Sequence, residues 1–314
     1  MTDKVIVLTG PTATGKTRLG AELAALIGGE VIGADSMQIY KDMDIGTAKP
    51  QLSEMCGVPH HMIGVVSPFE NYSVSRYVED ASQCADDIFR RGRIPVIVGG
   101  TAFYIDSLLA GRDFAEEGAS CGLRDEIAGE YDRLGGEKML EQLAAFDPES
   151  AGRLHANDKK RIVRAFEVYR GTGKTISRHN EESQNVPPRY RAVKAALTFS
   201  DRANLYDRIN RRVDRMMENG LLQEVEKLLA SGLTPEHTAM QAIGYKELAE
   251  ALLTGGDPEK AAEKIRQNSR RYAKRQLSWL NRDAELTWIR WGKEPDFQEG
   301  RQILTKLLEK NGIL

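Results

Sequence analysis

Cysteine is scarce in this sequence: Cys56, Cys84 and Cys121 are the only three in 314 residues. An odd, scattered set fits neither a disulfide framework nor a zinc-ligand pattern, so a reducing cytoplasm is the expected setting. Long apolar runs are missing as well. No stretch approaches the roughly 18 apolar residues that a membrane-spanning helix needs. The opening MTDKVIVLTGPT passes from a short apolar segment straight into glycine, without the longer apolar core of a signal peptide. Net charge is also small, at −2, which by itself argues against a nucleic-acid binder.

The distribution of charge says more than its sum. Arg153 to Arg178 holds eight Lys/Arg against Asp158 and Glu167, and Lys260 to Arg282 holds eight against Glu263. Acidic residues gather elsewhere, notably from Glu116 to Glu149. Segregated basic stretches on a near-neutral chain are a footprint for a polyanion, or else a pair of solvated helix faces.

Hydrophobic periodicity divides the chain in three. Val5–Thr9, Glu30–Ala34 and Ile94–Val98 read as short buried strands, alternating with helices over Thr17–Ile27, Ser73–Arg91 and Ala102–Leu109. That alternation predicts a parallel α/β sheet with right-handed crossovers. From about residue 115 to 188 the pattern is helical, closing at Pro187-Pro188, before a strand-like run at Lys194–Phe199. Beyond Leu205 it is helical to the end. The expected organisation is an α/β core over 1–114, a helical insertion over 115–188, and a core re-entry strand with C-terminal helices over 189–314.

Gly10-Pro11-Thr12-Ala13-Thr14-Gly15-Lys16-Thr17 is a P-loop between a strand and a helix. Loop amides and the helix N-terminus would wrap phosphate oxygens, Lys16 would neutralise charge, and the Thr17 hydroxyl would sit on Mg²⁺. Gly171-Thr172-Gly173-Lys174-Thr175 looks like a second copy but has Val168 where the first glycine belongs. Gly171 reads there as the cap of a helix ending at Arg170. No Walker-B acid follows the third strand, which ends in Gly99-Gly100-Thr101. The strand-terminal acid near the loop is Asp35, followed by Ser36-Met37-Gln38. It suits a general base on an acceptor better than a metal ligand, or else a turn cap.

At this point the residues resemble tRNA dimethylallyltransferases. The likeness rests on Gly10–Thr17, Asp35-Ser36-Met37-Gln38-Ile39-Tyr40, Met43-Asp44-Ile45-Gly46-Thr47-Ala48-Lys49-Pro50 and Val58-Pro59-His60-His61. It continues with Val98-Gly99-Gly100-Thr101 and Tyr104, Asn157-Asp158 leading into Arg161, and Arg208 with Arg212. Ala242-Ile243-Gly244-Tyr245-Lys246 and Tyr272-Ala273-Lys274-Arg275-Gln276 with Trp279 complete the ordered set.

The resemblance implies a P-loop NTPase-like core and transfer of a dimethylallyl group from its diphosphate to the exocyclic amine of the adenosine 3′ of a tRNA anticodon. The P-loop would then hold a diphosphate leaving group with Mg²⁺, Arg208 and Arg212 completing the clamp. A plain helix face paired with Asp207 or Asp214 is the other reading of those arginines. Asp35 would take the amine's proton and Thr101 would hold the base or the Asp35 carboxylate in line, or cap the helix after it. Asp35, Ser36, Met37, Gln38, Thr101, Gln241, Ile243, Gly244, Tyr245 and Lys246 would read the extruded base and loop. Arg124, Lys159, Lys160 and Arg161 in the insertion, and Arg270, Arg271, Lys274 and Arg275, would grip phosphates of the anticodon stem-loop. Such an enzyme is expected to be a cytoplasmic monomer without membrane contact.

Some eukaryotic relatives carry a C-terminal zinc finger; the residues after Trp291 include no Cys or His. His60-His61 suggests metal only weakly, since adjacent side chains in an extended segment point apart. Two rival functions fit parts of the pattern. One is a small-molecule or nucleotide kinase with an arginine-rich lid. The other is a non-catalytic RNA-binding switch that senses nucleotide through its P-loop.

Overall fold

A computed structural model of the chain describes residues 3–111, 122–184 and 187–314. Cys121, Glu116 and the boundary expected at residue 115 lie outside those residues. The chain divides into two compact units, Met1–Leu109 with Arg189–Leu314, and Ala110–Pro188.

In the first unit β1 (Lys4–Thr9) leads through the glycine loop into α1 (Lys16–Ile27) and β2 (Glu30–Ala34). A two-residue strand β3 (His60–His61), α2 (Val74–Arg90), β4 (Pro95–Gly99) and α3 (Ala102–Ala110) follow. The second unit consists of α4 (Leu123–Leu134), α5 (Gly136–Phe146), α6 (Pro148–Arg153), α7 (Lys159–Thr172) and α8 (Ile176–Gln184). The first unit then resumes with β5 (Arg191–Phe199), α9 (Arg202–Glu218), α10 (Leu221–Ala230) and α11 (Tyr245–Thr254). It ends with α12 (Pro258–Leu280), β6 (Thr287–Trp291) and α13 (Phe297–Lys310).

The six strands lie in the order β3-β2-β4-β1-β5-β6, all parallel. Successive side chains of β1 point to opposite faces. Val5 and Val7 join a core with Ile97, Tyr77, Leu108 and Tyr245, while Ile6 and Leu8 join one with Leu19, Leu23, Trp291 and Leu304. Helices cover both faces, which is why the strands read as continuous apolar runs. The Gly10–Gly15 loop, the Asp35–Gln38 turn and Gly100-Thr101 all leave the carboxyl edge of adjacent strands, where parallel α/β sheets place their ligands.

The second unit has its own core of Ile127, Met139, Leu143, Ile162 and Phe166. Phe146 stacks on Tyr169 with ring centres 4.1 Å apart. The buried Asp147 carboxylate accepts the Ser150 and Ser177 N–H groups, each at 3.1 Å.

Three local readings change. The re-entry strand starts at Arg191 rather than Lys194, because its first residues pair with Lys4 and Val5 of β1. Helix α7 runs through Gly171 to Thr172, and Gly173 is the left-handed cap at φ 72°. Strand β6 was not anticipated in the helical C-terminal region. Its Thr287, Ile289 and Trp291 lie opposite Ala195, Leu197 and Phe199, a partner supplied about ninety residues upstream.

Candidate active site

The P-loop is shaped by backbone that few residues adopt. Gly10 has φ 139°, and a Cβ there would stand 2.4 Å from the Leu197 carbonyl oxygen. Its carbonyls are tied down by side chains. Pro11 O accepts from the Thr14 hydroxyl and Lys16 Nζ, each at 2.8 Å, Ala13 O from Arg208 Nε at 3.2 Å, and Thr14 O from Trp291 Nε1 at 2.9 Å. Thr12 N–H donates to Gln276 Oε1 at 3.0 Å.

Two cavities meet beside the loop. The smaller, about 80 Å³, is lined by Thr12, Lys16, Thr17, Asp35, His60 and Arg212 among others. The larger, about 290 Å³, has an apolar wall of Met37, Ile209, Val213, Met216, Ile243 and Ile265. Thr12, Asp35, Arg212 and Tyr272 line both, so the aspartate stands where a phosphate-sized space opens onto an apolar one.

The electrostatics favour an anion in the smaller cavity. Burial, then the Arg212 charge, lowers the Lys16 pKa to about 8, although Asp35 pulls it back up. Arg212 is likewise held down by burial and supported by Asp35. Its one hydrogen bond among the described residues goes to the Thr47 carbonyl at 3.3 Å, and none goes to a carboxylate. Two covered cations sharing one aspartate are under-compensated, and an anion would repair that. Thr17 faces the same space. No group of three or more His, Cys, Asp or Glu that could hold a metal occurs among the described residues. A hydroxyl beside phosphate oxygens nevertheless fits Mg²⁺, which keeps most of its other ligands as water.

Asp35 Oδ1 accepts the N–H groups of Met37 at 2.9 Å and Gln38 at 3.3 Å, so the turn-cap reading holds for one oxygen. No hydrogen bond to Oδ2 occurs among the described residues. The Thr101 hydroxyl does not reach that carboxylate. It accepts the Ser36 N–H at 3.1 Å. Burial, then the Asp35 charge, pushes the pKa of Tyr272 on the cavity wall up to about 12. Thr101 also opens α3, its carbonyl accepting from Tyr104 and Ile105.

Several residues expected to read RNA are engaged within the protein. Gln38 Nε2 donates to the Thr47 and Ala48 carbonyls, each at 3.1 Å. Tyr245 is fully buried, and its hydroxyl donates to Glu224 at 2.5 Å, so it presents no ring to a base. Gly244 is buried beneath it at the start of α11, whereas Lys246 and Gln241 are exposed and Ile243 lines the larger cavity. The Gln241 side-chain amide is held by the Pro235 carbonyl.

The clamp arginines follow neither sequence reading completely. Arg208 pairs with Glu294, which also takes Arg211 at 2.9 Å, while Asp214 pairs with Arg266 at 2.6 Å. Lys159 pairs with Asp132 at 2.5 Å, so it is not a spare cation. Lys160, Arg161 and Arg124 are exposed and have no carboxylate partner among the described residues; the same holds for Arg271, Lys274 and Arg275. Arg270 differs, bonded to Asn210 at 2.6 Å and lying 3.6 Å from Glu263. His60 Nδ1 donates to the Val58 carbonyl at 2.8 Å, and His61 meets the buried Glu30, which Arg91 and Arg93 also hold.

Sequence reasoning gave no role to Tyr272, Gln276, Glu224 or Trp291. The first two stand four residues apart on one face of α12, so a polar pair on an otherwise basic helix was the available signal. Glu224 and Trp291 left none, because their partners are backbone groups 178 and 277 residues away.

A phosphate cradle on a parallel sheet, opening past one carboxylate onto an apolar cavity, defines a P-loop fold arranged for group transfer. The chain belongs to the IPP transferase family, whose model matches residues 38–283; a model described as Isopentenyl transferase matches residues 3–63. It is 43% identical to a tRNA dimethylallyltransferase of Acetivibrio thermocellus over 97% of this chain and 96% of that one. It is 37% identical to a full-length tRNA isopentenylpyrophosphate transferase structure from Bacillus halodurans, TM-score 0.73, covering 99% and 98% of the two chains. A eukaryotic dimethylallyltransferase structure, solved acting on tRNA, is 30% identical with TM-score 0.83, over 99% of this chain and 80% of that one.

Proposed function

We propose that this protein transfers a dimethylallyl group from dimethylallyl diphosphate to the exocyclic N6 amine of the adenosine 3′ of the anticodon in tRNA. The observation that carries this reading is the placement of Asp35 on the shared wall of the two cavities. The diphosphate occupies the cradle of Gly10–Thr17, Lys16 and Arg212, with Arg208 at its rim, and the prenyl chain extends into the apolar space. The bond between the allylic carbon and the diphosphate oxygen breaks as the N6–carbon bond forms, and the N6 proton passes to Asp35. Charge gathers on the departing diphosphate, so half-buried cations aimed at it stabilise the transition state more than the ground state. Mg²⁺, held through Thr17 and the diphosphate, would supply further neutralisation of the leaving group.

The kinase alternative finds less support. Strand β4 ends in Gly99-Gly100 with no acid, and the arginines near the loop belong to α9 of the core rather than to a lid. Exposed Lys160, Arg161 and Arg124 on the second unit, and Arg271, Lys274 and Arg275 on α12, supply the cations for tRNA phosphates. Incubating the protein with radiolabelled dimethylallyl diphosphate and bulk tRNA tests the reading. Label in the RNA is the expected result; label absent from RNA, with phosphate moved from ATP to a small acceptor, would replace it by the kinase.

A further inference from the structure

The segment from β6 to α13 lies beyond residue 283, outside both matched family models, yet it touches the P-loop at two points and reaches a third through Arg208 of α9. The Trp291 indole, only 1% exposed, donates Nε1–H to the Thr14 carbonyl at 2.9 Å. The Phe297 ring sits where a Cβ on Gly15 would come within 2.9 Å of it, and the Arg18 guanidinium covers that ring at 4.3 Å. Glu294 holds Arg208, whose Nε donates to the Ala13 carbonyl.

These contacts bear on the orientation of the loop amides. In a planar trans peptide the carbonyl and the next residue's N–H point in opposite directions. Anchoring the Ala13 carbonyl through Arg208 therefore turns the Thr14 N–H away from the anchor. Anchoring the Thr14 carbonyl through Trp291 does the same for the Gly15 N–H. A P-loop binds phosphate through such amides, and amides fixed beforehand bind without a reorganisation cost. Ala13, at φ 66°, occupies backbone that a non-glycine residue adopts only when its surroundings enforce it.

We propose that the C-terminal β6–α13 segment is a working part of the diphosphate cradle. Trp291 is its positioning residue, fixing the Gly15 amide through the Thr14 carbonyl. The inference rests on the proposed use of the loop for diphosphate. Trp291→Phe keeps most of the buried ring and deletes the N–H. Leu304→Ala loosens the same segment from its buried face without meeting the loop. The full-length variants are compared for thermal stability, for binding of inorganic pyrophosphate by calorimetry, and for the KM of donor and of tRNA.

Trp291→Phe is expected to weaken pyrophosphate binding and raise the donor KM about tenfold, the scale of one hydrogen bond, with the tRNA KM unchanged. Leu304→Ala is expected to lose at least as much stability while binding pyrophosphate within about twofold of wild type. If Trp291→Phe does not fold, Phe297→Leu, which strips the packing from Gly15, must show the same split. Equal pyrophosphate binding by the indole variant and wild type would overturn the inference, as would losses that track thermal stability in both variants. Wild-type protein indifferent to pyrophosphate would remove the diphosphate reading itself, and this inference with it.

Discussion

Gln276 of α12 joins Thr12 to Gly100, and so bridges the loops that leave the tips of β1 and β4. The Gln276 Oε1 accepts the Thr12 N–H at 3.0 Å while its Nε2 donates to the Gly100 carbonyl at 2.8 Å. The side chain is buried, so no water can replace either bond. Gln276→Leu is expected to destabilise the fold by about 2–4 kcal/mol, since two backbone groups lose their partners at roughly 1–3 kcal/mol each. Chemical denaturation measures this. Gln276→Glu keeps the acceptor but sets a carboxylate beside the cradle, so its donor KM should rise more than that of the leucine variant.

Glu224 fills a small nest on the other side of the site. Its carboxylate accepts the N–H groups of Asp44, Ile45 and Gly46 at 2.9–3.2 Å, together with the Tyr245 hydroxyl. That loop supplies Gly46 and Thr47 to the larger cavity. Glu224→Ala is expected to cost about 2–4 kcal/mol in thermal or denaturant unfolding, because several amides lose one charged acceptor. A loss under about 0.5 kcal/mol would show that water replaces the carboxylate there.

Lys16 gives a pH dependence whose sign follows from its lowered pKa. The group titrates near 8 in the folded protein and near 10.5 when unfolded, so the folded state holds fewer protons between those values. Its contribution to stability therefore increases as pH rises from about 8 toward 10.5, and is lost as pH falls back through 8. Bound pyrophosphate favours the charged amine. Calorimetry near pH 8.5 in buffers of different ionisation enthalpy should then show net proton uptake on binding, which Lys16→Met removes.

The sheet and the cradle were legible because each rests on a local pattern. An apolar β-branched run followed by Gly10–Thr17 specifies strand, loop and helix within 25 residues. Asp35 stood out for the same reason, as the acid at a strand tip. The positions of Tyr245, Gln38 and Lys159 were not legible. Tyr245 is polar-tipped and sits in a motif, yet Glu224 draws its hydroxyl inward; Gln38 is claimed by two carbonyls nine and ten residues away; Lys159 is claimed by Asp132 from another helix. A motif marks that a residue matters, while the direction its side chain faces is decided by partners remote in sequence. Strand β6 failed to register on the same grounds, since five residues alternate convincingly only once β5 lies beside them.

That distinction sharpens the expectation for the basic cluster on α7. Lys160 and Arg161 are exposed without acidic partners among the described residues, whereas Lys159 is already paired. The double variant Lys160→Ala, Arg161→Ala should weaken tRNA binding and lower the slope of log affinity against log salt by about 1–2, the release expected for one or two phosphates. Lys159→Ala alone should move that slope much less. An unchanged slope in the double variant would make the cluster an ordinary solvated face.

The turn that Asp35 closes and the base role proposed for it can be separated by substitution. Its Oδ1 closes a turn on the Met37 and Gln38 amides, which a neutral side-chain oxygen could also do. Taking a proton from the attacking amine requires the carboxylate itself. Asp35→Asn therefore keeps the turn and removes the base, whereas Asp35→Ala removes both. If proton transfer is the role that matters, both variants should lose roughly 10²–10⁴ in single-turnover rate, the usual worth of a positioned general base. Pyrophosphate affinity, followed by calorimetry alongside the rate, should hold in the asparagine variant. An asparagine variant with near wild-type turnover would leave Asp35 as a turn residue and send the search for the base elsewhere along the wall shared by the two cavities.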